Sequence, residues 1–242
     1  MKIAVCIKQV PTREWQPRLD DAKTWIREQD ASFEMNEPDA YALEESLRLK
    51  EKHGGEVVVC SAGPARVSQV IREALARGAD RAIHVEADGL ASADAFAVAG
   101  ALAGAMKDEQ FDLVLAGLQS DDQGHGQTGV ILAERLGIPA STIIMDVLIE
   151  GGWFQWIAMP LPALLTIQSG INQLRYATLK GIMAAKKKEI RSAAPPAGVA
   201  AGLKIAGLAL PSKSKQTAMI QGAPAQAAAE LVRRLREEAR VL

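Results

Sequence analysis

Thirteen consecutive residues, Gly117-Leu-Gln-Ser-Asp-Asp-Gln-Gly-His-Gly-Gln-Thr-Gly129, combine four glycines with the side-chain donors Gln127 and Thr128. They follow the strand-like run Phe111-Asp-Leu-Val-Leu-Ala116 and lead into the helical pattern Val130-Ile-Leu-Ala-Glu-Arg-Leu136. Glycines let a backbone curl and approach a ligand closely. The first N–H groups of the following helix lack intrahelical partners and have the positive end of the helix dipole behind them. A strand, a glycine loop and a helix start therefore predict an anion site of the phosphate-binding kind. The spacing fits neither the P-loop pattern with its Lys-Ser/Thr ending nor the dinucleotide G-x-G-x-x-G. The alternative is a glycine-rich surface loop with Thr128 or Asp122 as an ordinary helix cap.

Other chemistries find little support. His53, His84 and His125 are too scattered for a metal-ligand spacing. Cys6 and Cys60 lie in separate apolar runs, with no C-x-x-C, so both read as reduced core thiols. No Ser/His/Asp or Cys/His catalytic set is evident, and no catalytic residue or metal ligand is assigned. Asp121-Asp122 is the one carboxylate pair that a metal-dependent nucleotide enzyme could use. Against such an enzyme, the glycine loop has no Lys to stabilise a leaving phosphate. A scaffold without ligand is the third reading.

The elements that must hold such a site follow an alternating plan. Lys2–Ile7 is a near-continuous apolar run, as expected for a strand covered on both faces, and Lys8 to Glu34 reads as a long loop. Asn36-Glu-Pro38 opens a helix, with Asn36 or Glu37 as cap and Pro38 in its first turn; Gly54-Gly55 ends it. Glu56–Cys60 is a second strand, Ser61–Ala65 a turn, Arg66–Arg77 a helix, Arg81–Val85 a third strand, Ala93–Met106 a small-residue helix and Phe111–Ala116 a fourth strand. This alternation predicts an α/β fold built on a parallel sheet flanked by helices, with right-handed crossovers. Ligands of such sheets bind at the strands' C-terminal edge, where the strand order reverses. The loops from Lys8 onward, Ser61–Ala65 and Gly117–Gly129 should converge there.

Beyond Gly137-Ile-Pro139 the alternation ends. Ser141–Ile149 and Trp153–Met159 read as strands meeting at Gly151-Gly152, and Leu161–Ile167 as another. Gln168–Met183 is polar with isolated apolar residues, Lys186–Lys188 reads as a solvated helix end, and Ala193–Gly202 as a linker. Pro224–Val241 is an amphipathic helix suited to docking on another chain. Residues 1–190 are expected to form the nucleotide-binding domain and 191–242 a linker and partner-binding arm. With 28 basic and 29 acidic residues, the formal net charge is −1. No global field therefore recruits nucleic acid or a membrane surface. No apolar run is long enough to span a bilayer, and the N-terminus lacks a signal peptide's h-region, so a cytoplasmic or organelle-matrix protein is expected.

Four blocks together resemble the β subunit of electron transfer flavoprotein: Met35-Asn-Glu-Pro-Asp-Ala-Tyr-Ala-Leu-Glu-Glu-Ser-Leu-Arg-Leu-Lys50, Ser61-Ala-Gly-Pro64, Gly126-Gln-Thr-Gly129 and Asn172-Gln-Leu-Arg-Tyr-Ala-Thr-Leu-Lys-Gly-Ile-Met183. The resemblance implies an adenine-nucleotide-hydrolase-like sheet and a heterodimer with an alpha subunit that holds most of the redox FAD. The β-type chain would carry a structural AMP and would not itself be catalytic. It further implies electron flow from flavin dehydrogenases, such as the acyl-CoA dehydrogenases of fatty acid oxidation, to a quinone reductase. Carried over by motif, AMP contacts fall on Cys6, Asn36, Glu37, Pro38, Asp39, Ala62, Asp121, Asp122, Gln123, Gly126, Gln127, Thr128 and Gly129. Partner contacts fall on Tyr176, Leu179, Ile182 and Met183 in a recognition loop spanning about 168–183. An electron-bifurcating relative would hold FAD in place of AMP; Gln127-Thr128-Gly129 resembles the AMP-binding branch. The resemblance departs where Glu150 passes abruptly to Gly151, implying either a trimmed member or residues missing from this sequence.

Overall fold

The computed structural model of the protein describes residues 1–144, 157–211 and 217–241, which divide into two compact units, Met1–Leu208 and Ala209–Leu242. In chain order the elements are β1 (Lys2–Cys6), β2 (Gln9–Pro11), β3 (Phe33–Met35), α1 (Glu37–His53), β4 (Glu56–Gly63), α2 (Ser68–Arg77), β5 (Arg81–Glu86), α3 (Ala95–Met106) and β6 (Leu113–Gly117). They continue with α4 (Thr128–Leu136), β7 (Ala140–Ile144), β8 (Ala163–Ile167), α5 (Leu179–Ala185), β9 (Ile190–Ala193) and, in the second unit, α6 (Pro224–Glu237).

Among the described residues the main sheet has seven strands in the order β7-β8-β6-β1-β4-β5-β9, each neighbouring pair parallel. The expected parallel α/β sheet is what forms. Its central strands are buried on successive residues because both faces are covered. Along β1 and β4, Ile3, Val5, Val57 and Val59 point into one core with α1, α2 and α5. Ala4, Cys6, Val58 and Cys60 point into the other, with α3 and α4. From β1 the chain winds outward through β4 and β5, then returns to place β6 on the other side of β1. The strand order reverses between β1 and β6, and that crevice lies at their C-terminal ends.

Several local expectations change. Lys8 to Glu34 is not a plain loop: β2 and β3 pair antiparallel. Three-residue strands are too short to show a period-2 pattern. β4 continues through Ser61, Ala62 and Gly63, so the turn begins at Pro64. β9 occupies residues expected at the start of a linker. It is a four-residue edge strand with half-buried Arg191 and exposed Ser192, so it lacks the apolar run of the central strands. Lys188 is not a solvated helix end, since its ammonium donates to the carbonyls of Leu75 and Ala79 at 2.9 and 2.6 Å and closes the end of α2. β7 covers the start of the strand expected over 141–149, and Ile157–Met159 is irregular. The remainder of that strand pair, residues 145–156, lies outside the described residues. No described helix is long and apolar enough to cross a membrane.

Candidate functional site

Asp39, in the first turn of α1, ties the crevice together. Its buried carboxylate accepts from the Lys8 N–H at 2.7 Å and the Gly117 N–H at 2.8 Å, the residues that leave β1 and β6. A side chain at Gly117 is excluded, because its Cβ would lie 2.3 Å from Asp39 Oδ1. Burial pushes the Asp39 carboxyl up to about 7, although those two backbone donors hold it down. Asn36 stands at the expected cap position of α1 but makes no side-chain cap bond. Its amide instead donates to the Gln119 carbonyl at 3.0 Å and accepts from the Asp121 N–H at 2.9 Å. The start of α1 thus sets the path of the glycine loop.

The resulting cleft is lined by Cys6, Lys8, Asn36, Asp39, Ala62, Gln123, Gly126, Gln127, Thr128 and Gly129, with Leu90, Val98 and Leu102 forming an apolar wall from the α3 side. At its rim α4 begins. Its cap residue, Gln127, makes no side-chain cap bond, and the first bond to a preceding carbonyl runs from Ile131 N to Gln127 O. Thr128 is therefore the first residue of α4 rather than its cap, and its N–H and that of Gly129 precede the ladder. Among the described residues, Lys8 is the only lysine or arginine lining the cleft. Burial pushes the Cys6 thiol well above its ordinary range, with Cys60 and Asp39 adding to the effect. Uncharged backbone donors at a helix start, set opposite an apolar wall, can take an anion at one end of the cleft and an apolar ring at the other.

Nine of the thirteen nucleotide-contact residues expected from the resemblance line this cleft; Glu37, Pro38, Asp121 and Asp122 do not. Arg13 joins Glu37 to Asp121, 3.3 Å away. Lys8 pairs with Asp122 at 2.7 Å, holding that carboxyl below its ordinary range against the upward pull of burial. The carboxylate pair is thus divided between two cations. No group of three or more potential metal ligands occurs among the described residues. Lys8, His125 and the α3 wall were not assigned from sequence. Lys8 carried a signal, as the first polar residue after a buried strand; the wall carried none, because small apolar helix residues look alike whether they face a ligand or a sheet.

A second cavity adjoins the first and shares Lys8, Ala62, Leu90, Gln123 and His125 with it. Its further walls include Trp25, Phe33, Val67 and Leu208. Arg66 lies over the Phe33 ring at 4.0 Å and pairs with Glu28 at 2.8 Å.

On the α1 and α2 side, residues 172–175 are clipped down. Asn172 donates to the Tyr41 carbonyl at 3.2 Å and to Glu45 at 3.1 Å. Arg175 binds Glu44 at 2.7 Å and Glu51 at 2.5 Å. Burial raises the Glu44 carboxyl, but Arg175 and Arg48 outweigh it and hold the group low. Beyond this clip, Thr178 caps α5 by accepting from the Gly181 N–H at 3.0 Å, and Ala185 is buried at its far end. Between these anchors Tyr176 is 91%, Leu179 84%, Ile182 45% and Met183 63% exposed. Four large apolar side chains on one tethered segment form a patch of the kind that marks an interaction surface.

Residues 23–197 match a family model described as the electron transfer flavoprotein domain. The chain is 34% identical to the electron transfer flavoprotein subunit beta of Methylophilus methylotrophus over 261 aligned positions, covering 98% of each chain. It is 35% identical to that of Bacillus subtilis (strain 168) over 259 positions, covering 100% of each. With that of Thermoanaerobacterium thermosaccharolyticum the identity is 40% over 203 positions, 79% of this chain and 77% of the relative.

Proposed function

Since the chain belongs to the electron transfer flavoprotein family, we propose that it is the β-type subunit of an electron-carrying heterodimer. In this reading the cleft holds AMP as a structural nucleotide, and an alpha subunit holds most of the FAD that carries electrons. The observation that carries the reading is the cleft itself: loops leaving β1, β4 and β6 meet at the strand-order reversal, with the free end of α4 facing an apolar wall. The base would lie against Leu90, Val98 and Leu102, and the phosphate would take the N–H groups of Thr128 and Gly129. Nothing in the cleft's chemistry calls for turnover, and the chain's part is to bind and orient.

The exposed Tyr176, Leu179, Ile182 and Met183 are proposed to dock flavin dehydrogenases, acyl-CoA dehydrogenases among them, with electrons passing through the alpha subunit's FAD to a quinone reductase. Such a carrier would work in the cytoplasm, or in the matrix of an organelle. α6, whose residues are all at least partly exposed, is proposed to join the segment after the sheet in contacting the alpha subunit. The purified protein should bring a second chain and a yellow colour with it, and the denatured complex should release AMP and FAD in equal amounts. A second reading, FAD in this site in place of AMP, is favoured by the adjoining aromatic-walled cavity, which offers room beyond a mononucleotide. Release of FAD without AMP selects it; release of no nucleotide overturns both.

A further inference from the structure

Lys8 stands where β1 ends, and its ammonium is spent entirely on the glycine loop. It lies 2.7 Å from Asp122 Oδ1, 2.9 Å from Gln123 Oε1 and 3.3 Å from Ser120 Oγ. Three acceptors satisfy an ammonium's three protons. All three belong to residues 120–123, half-way round a loop whose ends are fixed by β6 and α4. At the other end of its own residue, the Lys8 backbone N–H is held by buried Asp39. The pair is partly withdrawn from water, with 32% of the Lys8 side chain and 19% of the Asp122 side chain exposed. An ion pair in such a setting is worth more than one fully in solvent.

From this geometry we propose that Lys8 is a positioning residue: it clasps the glycine loop onto the end of β1 and thereby sets how long a nucleotide stays in the cleft. The assignment rests on the nucleotide reading above, but its cause lies in this chain's own contacts. Lys8 lines both cavities, as does Gln123, so the clasp is part of the wall that a departing ligand must open. Two other side-chain ties reach the loop, from Asn36 to Gln119 and Asp121 and from Arg13 to Asp121, and the side chains of Asp122 and Gln123 are held by Lys8. A lysine acting as a direct phosphate ligand would have to give up Asp122 first. With its protons already occupied, the clasp role follows from the geometry without any rearrangement.

The test uses the full-length chain in its purified complex, with AMP as probe. Lys8→Met keeps the apolar stem and removes the charge, Asp122→Asn removes the partner charge, and the double variant removes both. Each single variant should release AMP about tenfold faster, as loss of a charge-assisted bond implies. The double variant should be no faster than either single, and Lys8→Arg should recover part of the loss. Backbone amide exchange over residues 118–127 of the nucleotide-free protein should quicken in both single variants, with no change in β1 or α1. If Lys8→Met speeds release while Asp122→Asn does not, and the exchange is unmoved, Lys8 contacts the ligand directly and the clasp is wrong. Unchanged release and exchange in both variants also overturn it. If the parent protein binds no AMP, the nucleotide reading has failed, and the exchange measurement alone still decides whether the loop is clasped.

Discussion

At the residue scale, Asp39 and Thr128 respond to different measurements. Asp39 is buried and its folded pKa is about 7, against about 3.9 in an unfolded chain. Between those values the folded protein binds the extra proton, so this group's contribution to stability falls as pH rises from about 4 to about 7, then stays level. Roughly three pH units at about 1.4 kcal/mol each bound the effect at about 4 kcal/mol. Denaturant melts across that range should show the parent losing stability relative to Asp39→Asn; parallel curves would mean that the two N–H donors keep Asp39 ionised throughout. Thr128→Ala should leave the melting temperature unchanged, because Thr128 is the first residue of α4 and not its cap. AMP retention through dialysis should fall about ten- to hundredfold, the worth of one bond to a charged group. Residue identities were legible where local geometry dictates them, as in the free start of α4. The use of Asn36 was not. A cap residue spends its amide on its own helix unless another segment offers better partners, and the glycine loop that does so is more than eighty residues away in sequence.

At the scale of elements, α5 and the segment leading to it carry two contrasting predictions. Leu179 is 84% exposed, so Leu179→Ala opens no cavity and should leave the melting temperature and nucleotide content unchanged. Electron transfer from a partner dehydrogenase should fall about tenfold, since burying a leucine in a partner's pocket is worth about 1.5–3 kcal/mol; an unchanged rate removes Leu179 from the docking surface. Gly181 is the opposite case, because a Cβ there would sit 2.2 Å from the Ala76 carbonyl oxygen. Backbone cannot yield as a flexible side chain does, so Gly181→Ala should lift α5 from α2 and lower the melting temperature by several degrees. The motif Asn172–Met183 was visible in the sequence. That Arg175 and Asn172 clip its first part to α1, and that Arg48 of α1 donates to the Gln173 carbonyl, was not, because Glu44, Glu51, Tyr41, Glu45 and Arg48 are ordinary helix residues until the fold brings the segment near.

Across the whole molecule, the sheet's two edges have separate tasks. The C-terminal edge between β1 and β6 holds the cleft, whereas the N-terminal edge is pinned by a charge cluster centred on Glu109. Glu109 binds Lys2 at 2.8 Å, Arg81 at 2.7 Å and Arg191 at 3.0 Å, joining β1, β5 and β9 to the turn before β6. Burial raises its carboxyl, but Arg81 and Lys2 outweigh that and bring it to about 2. Its folded pKa is depressed, so its contribution is complete above the unfolded value near 4.3 and is lost as pH falls toward 2. Glu109→Gln should lower the melting temperature at pH 7 and flatten the parent's decline between pH 4.3 and 2; equal declines would show that the cluster contributes nothing. The sequence by itself determined the alternating strands and helices, the parallel class and the loops that share a sheet edge, because continuous apolar runs, glycine stops and right-handed crossovers are local properties that act in every copy of the chain. Only the tertiary structure decided that β6 returns beside β1, that β9 closes the far edge, and that Lys8, Asp39 and Asn36 spend their polar groups on the loop after β6. Those outcomes depend on which distant partner satisfies a buried donor or acceptor best, and that competition is settled only when the segments meet.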